Sequence, residues 1–193
     1  MQKKRVLYVD VCIRGALSRT RSLAEAYLEK LQQNGNVEIE KIYLADKKLS
    51  AMDVELMAWR EKCIAAGDFS SEYFDYARQI AASEILVIGV PYWDMSFPAA
   101  FKLYLEQICI NNLTFAYQGN GSVKKLNSLK KVIYVTTAGG YFGTNNFGFE
   151  YVKGLFKTIF GVNEFEFYSA EGLDIIGTDV EKVLAESQSK FKL

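Results

Sequence analysis

The chain has 193 residues, half of them hydrophobic, with 23 basic and 23 acidic side chains. This length and composition are typical of one domain with a sizeable core, so we expect residues 1–193 to form a single domain. The balanced charge argues against nucleic-acid binding, and no like-charge run or long apolar segment indicates a membrane partner. The basic first five residues precede an apolar stretch too short for a signal peptide.

The chain contains no histidine, which excludes Ser-His and Cys-His nucleophile pairs and the common zinc and haem sites. Its three cysteines, Cys12, Cys63 and Cys109, are widely spaced and odd in number, so they predict neither a disulfide framework nor a zinc site. We therefore expect a cytoplasmic protein whose chemistry depends on a bound cofactor or on carboxylate, Tyr, Lys and Arg side chains.

Apolar strands and amphipathic helices alternate along the chain. The predicted strands are Val6–Val11, Val37–Leu44, Ile85–Val90, Val132–Thr137 and Phe165–Tyr168. The predicted helices run over 18–34, 53–66, 70–82, 98–110, 147–160 and 179–191. This alternation predicts a three-layer α/β fold, in which helices cover both faces of a five-stranded parallel sheet. The flavodoxin-like, doubly wound strand order 2-1-3-4-5 fits best.

The segment after the first predicted strand, residues 12–21, contains one glycine, two hydroxyls and three arginines. It enters a helix, whose free N–H groups and positive dipole end favour an anion. The Ser18 and Thr20 hydroxyls and the Arg19 guanidinium can bond a phosphate. The alternative is that Ser18 only caps the helix and the arginines are solvated. The segment has no G-x-G-x-x-G or Walker A pattern, so it does not predict a dinucleotide or P-loop site.

Residues 91–98 follow the third predicted strand and contain both prolines of the chain. Pro91 ends the strand because it has no N–H donor, and Pro98 fits the first turn of a helix. Tyr92, Trp93 and Phe97 bring large planar side chains to the strand end, where a flat heteroaromatic ring can pack. The alternative is a hydrophobic loop that packs on the core or on a partner chain.

Residues 137–143 form a glycine-rich segment after the fourth predicted strand. Gly139 and Gly140 let the backbone approach a ligand closely, and their N–H groups can stabilise negative charge on a reduced flavin. The alternative is an ordinary flexible turn. All three segments leave carboxyl ends of parallel strands, and the first two flank the switch point at which such sheets bind ligands.

Four motifs carry a resemblance to a known family. The strongest is PYWDMSFPAAFK at 91–102, which continues to NLTF at 112–115. The others are SRTRSLA at 18–24, TTAGGY at 136–141 and AEGL at 170–173. Together they resemble the FMN-dependent NADH-azoreductase and NAD(P)H:quinone oxidoreductase family, which has the flavodoxin-like fold. The resemblance extends over nearly the whole chain.

The resemblance implies three groups of cofactor-binding residues, with no catalytic side chain and no metal ligand. The group at the FMN phosphate and ribityl chain is Cys12, Ser18, Arg19 and Thr20. The group that lines the flavin ring is Tyr92, Trp93, Asp94 and Met95. The group on the pyrimidine side is Thr137, Ala138, Gly139 and Gly140. The resemblance also implies a homodimer with the flavin site at the subunit interface.

Two residues depart from the family pattern. Asp94 stands where the family usually has Asn, which puts a carboxylate beside the predicted flavin and favours a lower flavin potential unless that charge is neutralised. Cys12 stands where the family commonly has Ser, which removes a hydroxyl donor. Cys12 is not predicted to be a nucleophile, because no histidine is available to activate it.

The activity that the resemblance implies is a ping-pong, two-electron hydride transfer. NADH or NADPH reduces the flavin at N5 and leaves, and a quinone, azo or nitro aromatic compound then accepts the electrons. Water or Tyr141 supplies protons to the product. The alternatives are a flavodoxin-type electron carrier and a non-catalytic FMN-binding module. The neutral charge and the extra segments at 53–82 and 111–130 favour the enzyme.

Overall fold

The structure is a computed structural model that describes residues 3–192. Residues 1, 2 and 193, which belong to the predicted domain, lie outside the described residues. The described strands are β1 (Lys4–Asp10), β2 (Val37–Tyr43), β3 (Ile85–Gly89), β4 (Phe115–Tyr117), β5 (Val123–Lys125), β6 (Lys131–Thr137) and β7 (Glu164–Ala170). The described helices are α1 (Arg19–Asn34), α2 (Val54–Ala66), α3 (Asp75–Ala82), α4 (Ala99–Ile108), α5 (Phe147–Thr158) and α6 (Val180–Ser189).

Five strands form one parallel sheet in the order β2-β1-β3-β6-β7. Counted along the chain, this is the order 2-1-3-4-5, so the predicted flavodoxin-like sheet is confirmed. The order reverses between β1 and β3, which pair with Val9 opposite Ile88. Two crossovers leave this point in opposite directions, and a crevice opens there at the carboxyl edge of the sheet.

The sheet is buried on both faces, as the continuous apolar strands predict. Side chains alternate along β1, so that Leu7 and Val9 pack in one core cluster while Val6 and Tyr8 pack in the other. β2 lies at an edge and keeps the alternation of exposed and covered residues that its sequence shows. The two layers of helices therefore hold a rigid sheet, whose carboxyl edge supplies fixed anchor points for loops.

Several helix boundaries follow from local capping. The Ser18 hydroxyl accepts a hydrogen bond from Arg21 N, and the Asp53 carboxylate accepts one from Leu56 N, so α1 and α2 begin where their sequences predict. The predicted helix at 70–82 is shorter, because Ser71 caps a separate 3₁₀ turn at Glu72–Phe74 before α3 begins.

The antiparallel pair β4–β5 has no counterpart among the predicted elements. Its two strands have three residues each and are joined by a turn in which Gln118 N donates to the Ser122 carbonyl. Strands of this length carry too little alternation to be recognised in a sequence. The hairpin forms part of the extra segment 111–130, for which the sequence predicts no secondary structure.

Two further features are absent from the part of the chain that the structure describes. Among the helices of residues 3–192, none combines the length and the apolar character needed to cross a bilayer. In the same residues, Cys, Asp and Glu side chains do not gather in any group of three or more that could hold a metal ion.

We expect Gly89→Ala to destabilise the fold by about 1–3 kcal/mol, because it overpacks the core. Gly89 ends β3, where an added Cβ would lie 2.8 Å from Tyr8 Oη and 3.0 Å from Ala24 Cβ. Gly119→Ala is the matched control, since its Cβ would meet no atom within 4 Å and its free energy of unfolding should change by less than about 1 kcal/mol. Urea denaturation measures both variants, and equal losses would contradict the prediction.

Candidate functional site at the carboxyl edge of the sheet

A cavity of about 320 Å³ lies over the carboxyl ends of β1, β3 and β6. This volume is at the lower end of the range of about 300–1,000 Å³ that is usual for small-ligand sites. Four chain segments line it: the turn before α1, the loop after β3, the loop after β6 and the segment after β7. The cavity therefore occupies the predicted switch point.

Most of the predicted site residues meet at this cavity. Those that line it are Cys12, Ser18, Arg19, Thr20, Tyr92, Trp93, Thr137, Ala138 and Gly139. Asp94, Met95 and Gly140 are not among the lining residues, although each lies within two positions of one that is. Three loops that are far apart in sequence thus come together in one place.

Other lining residues were not part of the prediction. They are Ile13, Arg14, Leu17, Pro91, Leu173 and Asp174. Arg14 is one of the three arginines of the first turn, so its charge was visible in the sequence but its orientation was not. Leu173 and Asp174 follow the carboxyl end of β7. This position at the ligand-binding edge of the sheet could have identified them from the sequence.

The first turn presents a helix N-terminus to the cavity. A 3₁₀ turn at Gly15–Leu17, with Gly15 at φ +57°, leads to Ser18, whose hydroxyl caps the N–H of the third helical residue. The N–H groups of Arg19 and Thr20 precede the first intrahelical bond and have no backbone acceptor within residues 3–192. These donors and the positive end of the helix dipole are an arrangement that favours an anion.

The side chains of Arg19 and Thr20 already have protein partners. Arg19 Nη1 donates to Asp174 Oδ1 at 2.7 Å and to the Leu173 carbonyl at 3.1 Å. The Thr20 and Thr137 hydroxyls are 2.6 Å apart in a buried hydrogen bond. The predicted phosphate contacts of these two residues therefore fall to their backbone N–H groups, while the side chains join the first turn to other loops.

A buried ion pair lies behind the first turn. Asp10, at the end of β1, is completely buried, and its Oδ2 accepts a hydrogen bond of 2.5 Å from Arg21 Nε. Tyr8 Oη donates to the same carboxylate at 3.1 Å, and Cys12 N donates to Oδ1 at 2.7 Å. The bond to Asp10 raises the pKa of Arg21. Neither member of the pair was among the predicted site residues.

Cys12 lies in the cavity wall as a protonated thiol. Its Sγ is 3.5 Å from the Gly89 carbonyl, and burial raises the pKa of the thiol to about 12. A group with this pKa is neutral at physiological pH. The geometry is that of the lining residue that the sequence predicts.

The loop after β3 contains a tight hairpin turn. Trp93 and Ser96 exchange backbone hydrogen bonds of 3.2 and 2.7 Å, and the two residues between them, Asp94 and Met95, have φ values of +48° and +65°. Such turns need left-handed backbone at both central positions, for which Asn and Asp are the best-tolerated residues after glycine. The need for left-handed backbone explains why Asn or Asp is suited to position 94. At Met95 the left-handed backbone costs about 1–2 kcal/mol.

The loop after β6 is held by the segment after β7. The Ala138 carbonyl accepts from Leu173 N at 3.1 Å, and the Gly139 carbonyl accepts from Asp174 N at 2.9 Å. A Cβ on Gly139 would lie 2.3 Å from Asp174 Oδ2 and 3.2 Å from Asp174 Cβ, so a side chain here would force the Asp174 carboxylate to move. The N–H groups of Gly139 and Gly140 have no backbone acceptor within the described chain. They remain donors for a ligand.

The second and third loops also hold each other. Tyr92 Oη donates to the Asn145 carbonyl at 2.9 Å, and the Tyr92 and Phe142 rings are 4.9 Å apart. Phe142 N donates to the Glu171 carboxylate at 3.2 Å, which ties the third loop to the chain after β7. Hydrogen bonds and a ring contact therefore join the cavity walls to one another.

Large apolar side chains are exposed on the cavity loops and at the beginning of α5. They are Ile13, Leu17, Trp93, Met95, Tyr141, Phe147, Tyr151, Ile175 and Ile176. Apolar surface gathered in this way usually marks a region that binds another molecule. Arg14 and Arg19 add positive charge to the same edge of the sheet.

The sheet order, the helix N-terminus at the switch point and the aromatic and glycine loops define a flavodoxin-like α/β protein with a cofactor site. A family model described as a flavodoxin-like fold matches residues 4–192. An FMN-dependent NADH:quinone oxidoreductase 2 of Clostridium acetobutylicum is 30% identical over 97% of this chain and 96% of its own length. This chain belongs to the flavodoxin-like family that this model describes, with FMN-dependent NADH:quinone oxidoreductases among its relatives.

Solved structures of low sequence identity share the fold. An azoreductase of Bacillus anthracis superposes with a TM-score of 0.82 at 21% identity and covers 96% of this chain and 95% of its own. An FMN-dependent NADH-azoreductase of Bacillus anthracis, determined in complex with FMN, superposes with a TM-score of 0.77 at 20% identity. That alignment covers 96% of each chain. The flavodoxin-like architecture thus extends over nearly the whole chain.

We expect Cys12 to resist alkylation by iodoacetamide at pH 7.5. A thiol with a pKa of about 12 has roughly a thousandfold less thiolate than one with an ordinary pKa, and only the thiolate reacts. Mass spectrometry of the peptide that contains Cys12 measures the rate. The same peptide should react at the ordinary rate after unfolding in urea. Fast alkylation in the folded protein would contradict the assignment.

Proposed function

We propose that the chain is a single FMN-binding domain that oxidises NADH or NADPH and reduces quinones, azo compounds or nitro aromatics. The observation that carries this proposal is the free helix N-terminus of α1, which opens into a cavity flanked by an aromatic loop and a glycine loop. An anion site beside a planar wall fits a phosphorylated cofactor with a flat ring. The C. acetobutylicum relative, named for FMN and for quinone reduction, supports the same conclusion.

The donors in the cavity fit the three parts of FMN. The N–H groups of Arg19 and Thr20, with Ser18 and Cys12 beside them, would hold the phosphate and the ribityl chain. The residues that would line the ring are Tyr92, Trp93, Asp94 and Met95. The residues that would bind the pyrimidine side are Thr137, Ala138, Gly139 and Gly140. When bound, FMN supplies the capacity to take a hydride and to release two electrons.

The protein contributes orientation and electrostatic stabilisation. The Gly139 and Gly140 N–H groups are fixed by the bonds between the third loop and the segment after β7, so they favour negative charge at the pyrimidine edge without reorganisation. Tyr141 is exposed at the same loop and, with water, can supply protons to the product. One open cavity serves both substrates in turn, which gives ping-pong kinetics.

The exposed apolar side chains around the cavity favour a second copy of this chain as a partner. Trp93, Met95, Phe147 and Tyr151 are large and solvent-exposed in the single chain, and burying them in a homodimer would stabilise the assembly. Such a dimer would cover the flavin site from above. Light scattering that reports the single-chain mass of 21.8 kDa would contradict this proposal. Balanced charge and unpaired cysteines fit a cytoplasmic location.

The purified protein should bind about one FMN per chain and oxidise NADH or NADPH when menadione is supplied. Absorbance measures the bound flavin, and initial velocities at varied nicotinamide and menadione should give parallel double-reciprocal lines. A colourless protein that does not bind added FMN would overturn the proposal. Bound FMN without turnover would favour an electron carrier or a non-catalytic module, and intersecting lines would exclude the shared site.

We expect Asp94→Asn to raise the two-electron flavin potential by about 10–30 mV, because it removes one negative charge near the reduced ring. The substitution suits the backbone, since Asn tolerates the left-handed φ of +48° at this position. Dye-equilibrium titration measures the potential. Asp174→Asn is a control for a carboxylate that is paired with Arg19. An unchanged potential in Asp94→Asn would show that this carboxylate has no influence on the flavin.

A further inference from the structure

Arg21 supports the first turn from the side opposite the cavity. Its guanidinium bonds Asp10, lies 3.5 Å from the Cys12 carbonyl through Nη2 and stacks 5.0 Å from the centre of the Tyr43 ring. Nη1 is 3.7 Å from the position of a Cβ on Gly15. Arg21 therefore contacts the beginning and the middle of the turn, yet it is not among the residues that line the cavity. Arg21 is therefore not positioned to contact an anion in the cavity directly.

Asp10 places a negative charge beneath an anion site. Its carboxylate is completely buried, and its partners are Arg21, the Tyr8 hydroxyl and the N–H of Cys12, which itself lines the cavity. Of these three partners only Arg21 carries a compensating charge, and it is largely buried, with 18% of its side chain exposed. Water screens a pair at this depth only weakly, so the charge balance between the two residues reaches the cavity.

We propose that the Asp10–Arg21 ion pair is a positioning and charge-balancing element behind the phosphate turn, and that it sets the preference of this chain for FMN over riboflavin. Arg21 neutralises Asp10 and clamps the turn, so that the Arg19 and Thr20 N–H groups meet a phosphate without an opposing field. Neither residue touches the ligand. The inference rests on the proposed function, because it requires FMN to bind in this cavity.

The test compares the dissociation constants of FMN and riboflavin, measured by quenching of flavin fluorescence. The two ligands differ only in the phosphate, so their ratio isolates the effect on phosphate from any general loosening of the site. In Arg21→Gln the uncompensated carboxylate should reduce the preference for FMN by about tenfold or more. In Asp10→Asn the remaining cation should keep or increase the preference.

Two further variants keep the test informative if Arg21→Gln does not fold, which circular dichroism would reveal. The double variant D10N/R21Q removes both charges and should return the preference to within about threefold of the parent protein. Arg21→Lys keeps the charge but loses the Nε bond. It should therefore weaken the binding of both flavins while preserving the ratio of their dissociation constants. A fall in the FMN preference of Asp10→Asn would overturn the proposal. An equal loss of affinity for FMN and riboflavin in Arg21→Gln would also overturn the proposal, because that is the result expected of an ion pair with only a structural role.

Flavin binding by the parent protein distinguishes a failure of this inference from a failure of the proposed function. If the parent binds neither FMN nor riboflavin, the proposed function fails and the ion pair has no such role. If the parent binds FMN more tightly than riboflavin and Arg21→Gln leaves that ratio unchanged, the proposed function stands and the inference on Asp10 and Arg21 is wrong.

Discussion

The position of the α1 N-terminus relative to the sheet is the constraint on which the rest of the site depends. Two contacts set it: the 2.6 Å bond between the Thr20 and Thr137 hydroxyls, and the buried Asp10–Arg21 ion pair. The first joins the helix to β6, and the second joins it to β1. Because the first contact is buried and the second joins Arg21 to a buried carboxylate, the free N–H groups are held at the strand ends, where their dipoles remain effective.

The other loops are arranged around this fixed point. Arg19 reaches the segment after β7 through Asp174, and that segment in turn bonds the backbone of the glycine loop. The aromatic loop is tied to the glycine loop through Tyr92. The N–H groups of Arg19, Thr20 and Gly139 are not used for these ties and belong to residues that line the cavity. The ties hold these donors in a defined geometry, which lowers the cost of ordering them around a cofactor.

Backbone conformation accounts for the unusual residue of the aromatic loop. Asp94 departs from the family pattern, yet its left-handed backbone is one that Asn and Asp tolerate and other residues avoid. The position is thus constrained first by the hairpin turn and only then by what its side chain does. Packing also constrains Gly139, because a Cβ there would displace the Asp174 carboxylate. Close packing, and not contact with a ligand alone, therefore limits the residues at both positions.

The sheet and the three loops at its carboxyl edge could be predicted from the sequence, because hydrophobic periodicity and capping are local properties, and right-handed crossovers leave few strand orders, of which the observed one fits best. The pairing of side chains in these loops could not be predicted, because it depends on the tertiary structure. Arg19 and Asp174 are 155 positions apart, and Thr20 and Thr137 are 117 apart, so no local pattern links them. The hairpin β4–β5 was also not predicted, because its two strands of three residues are too short to show a hydrophobic period. Charge and hydroxyl content predicted an anion site, and packing decided which groups remain free for it.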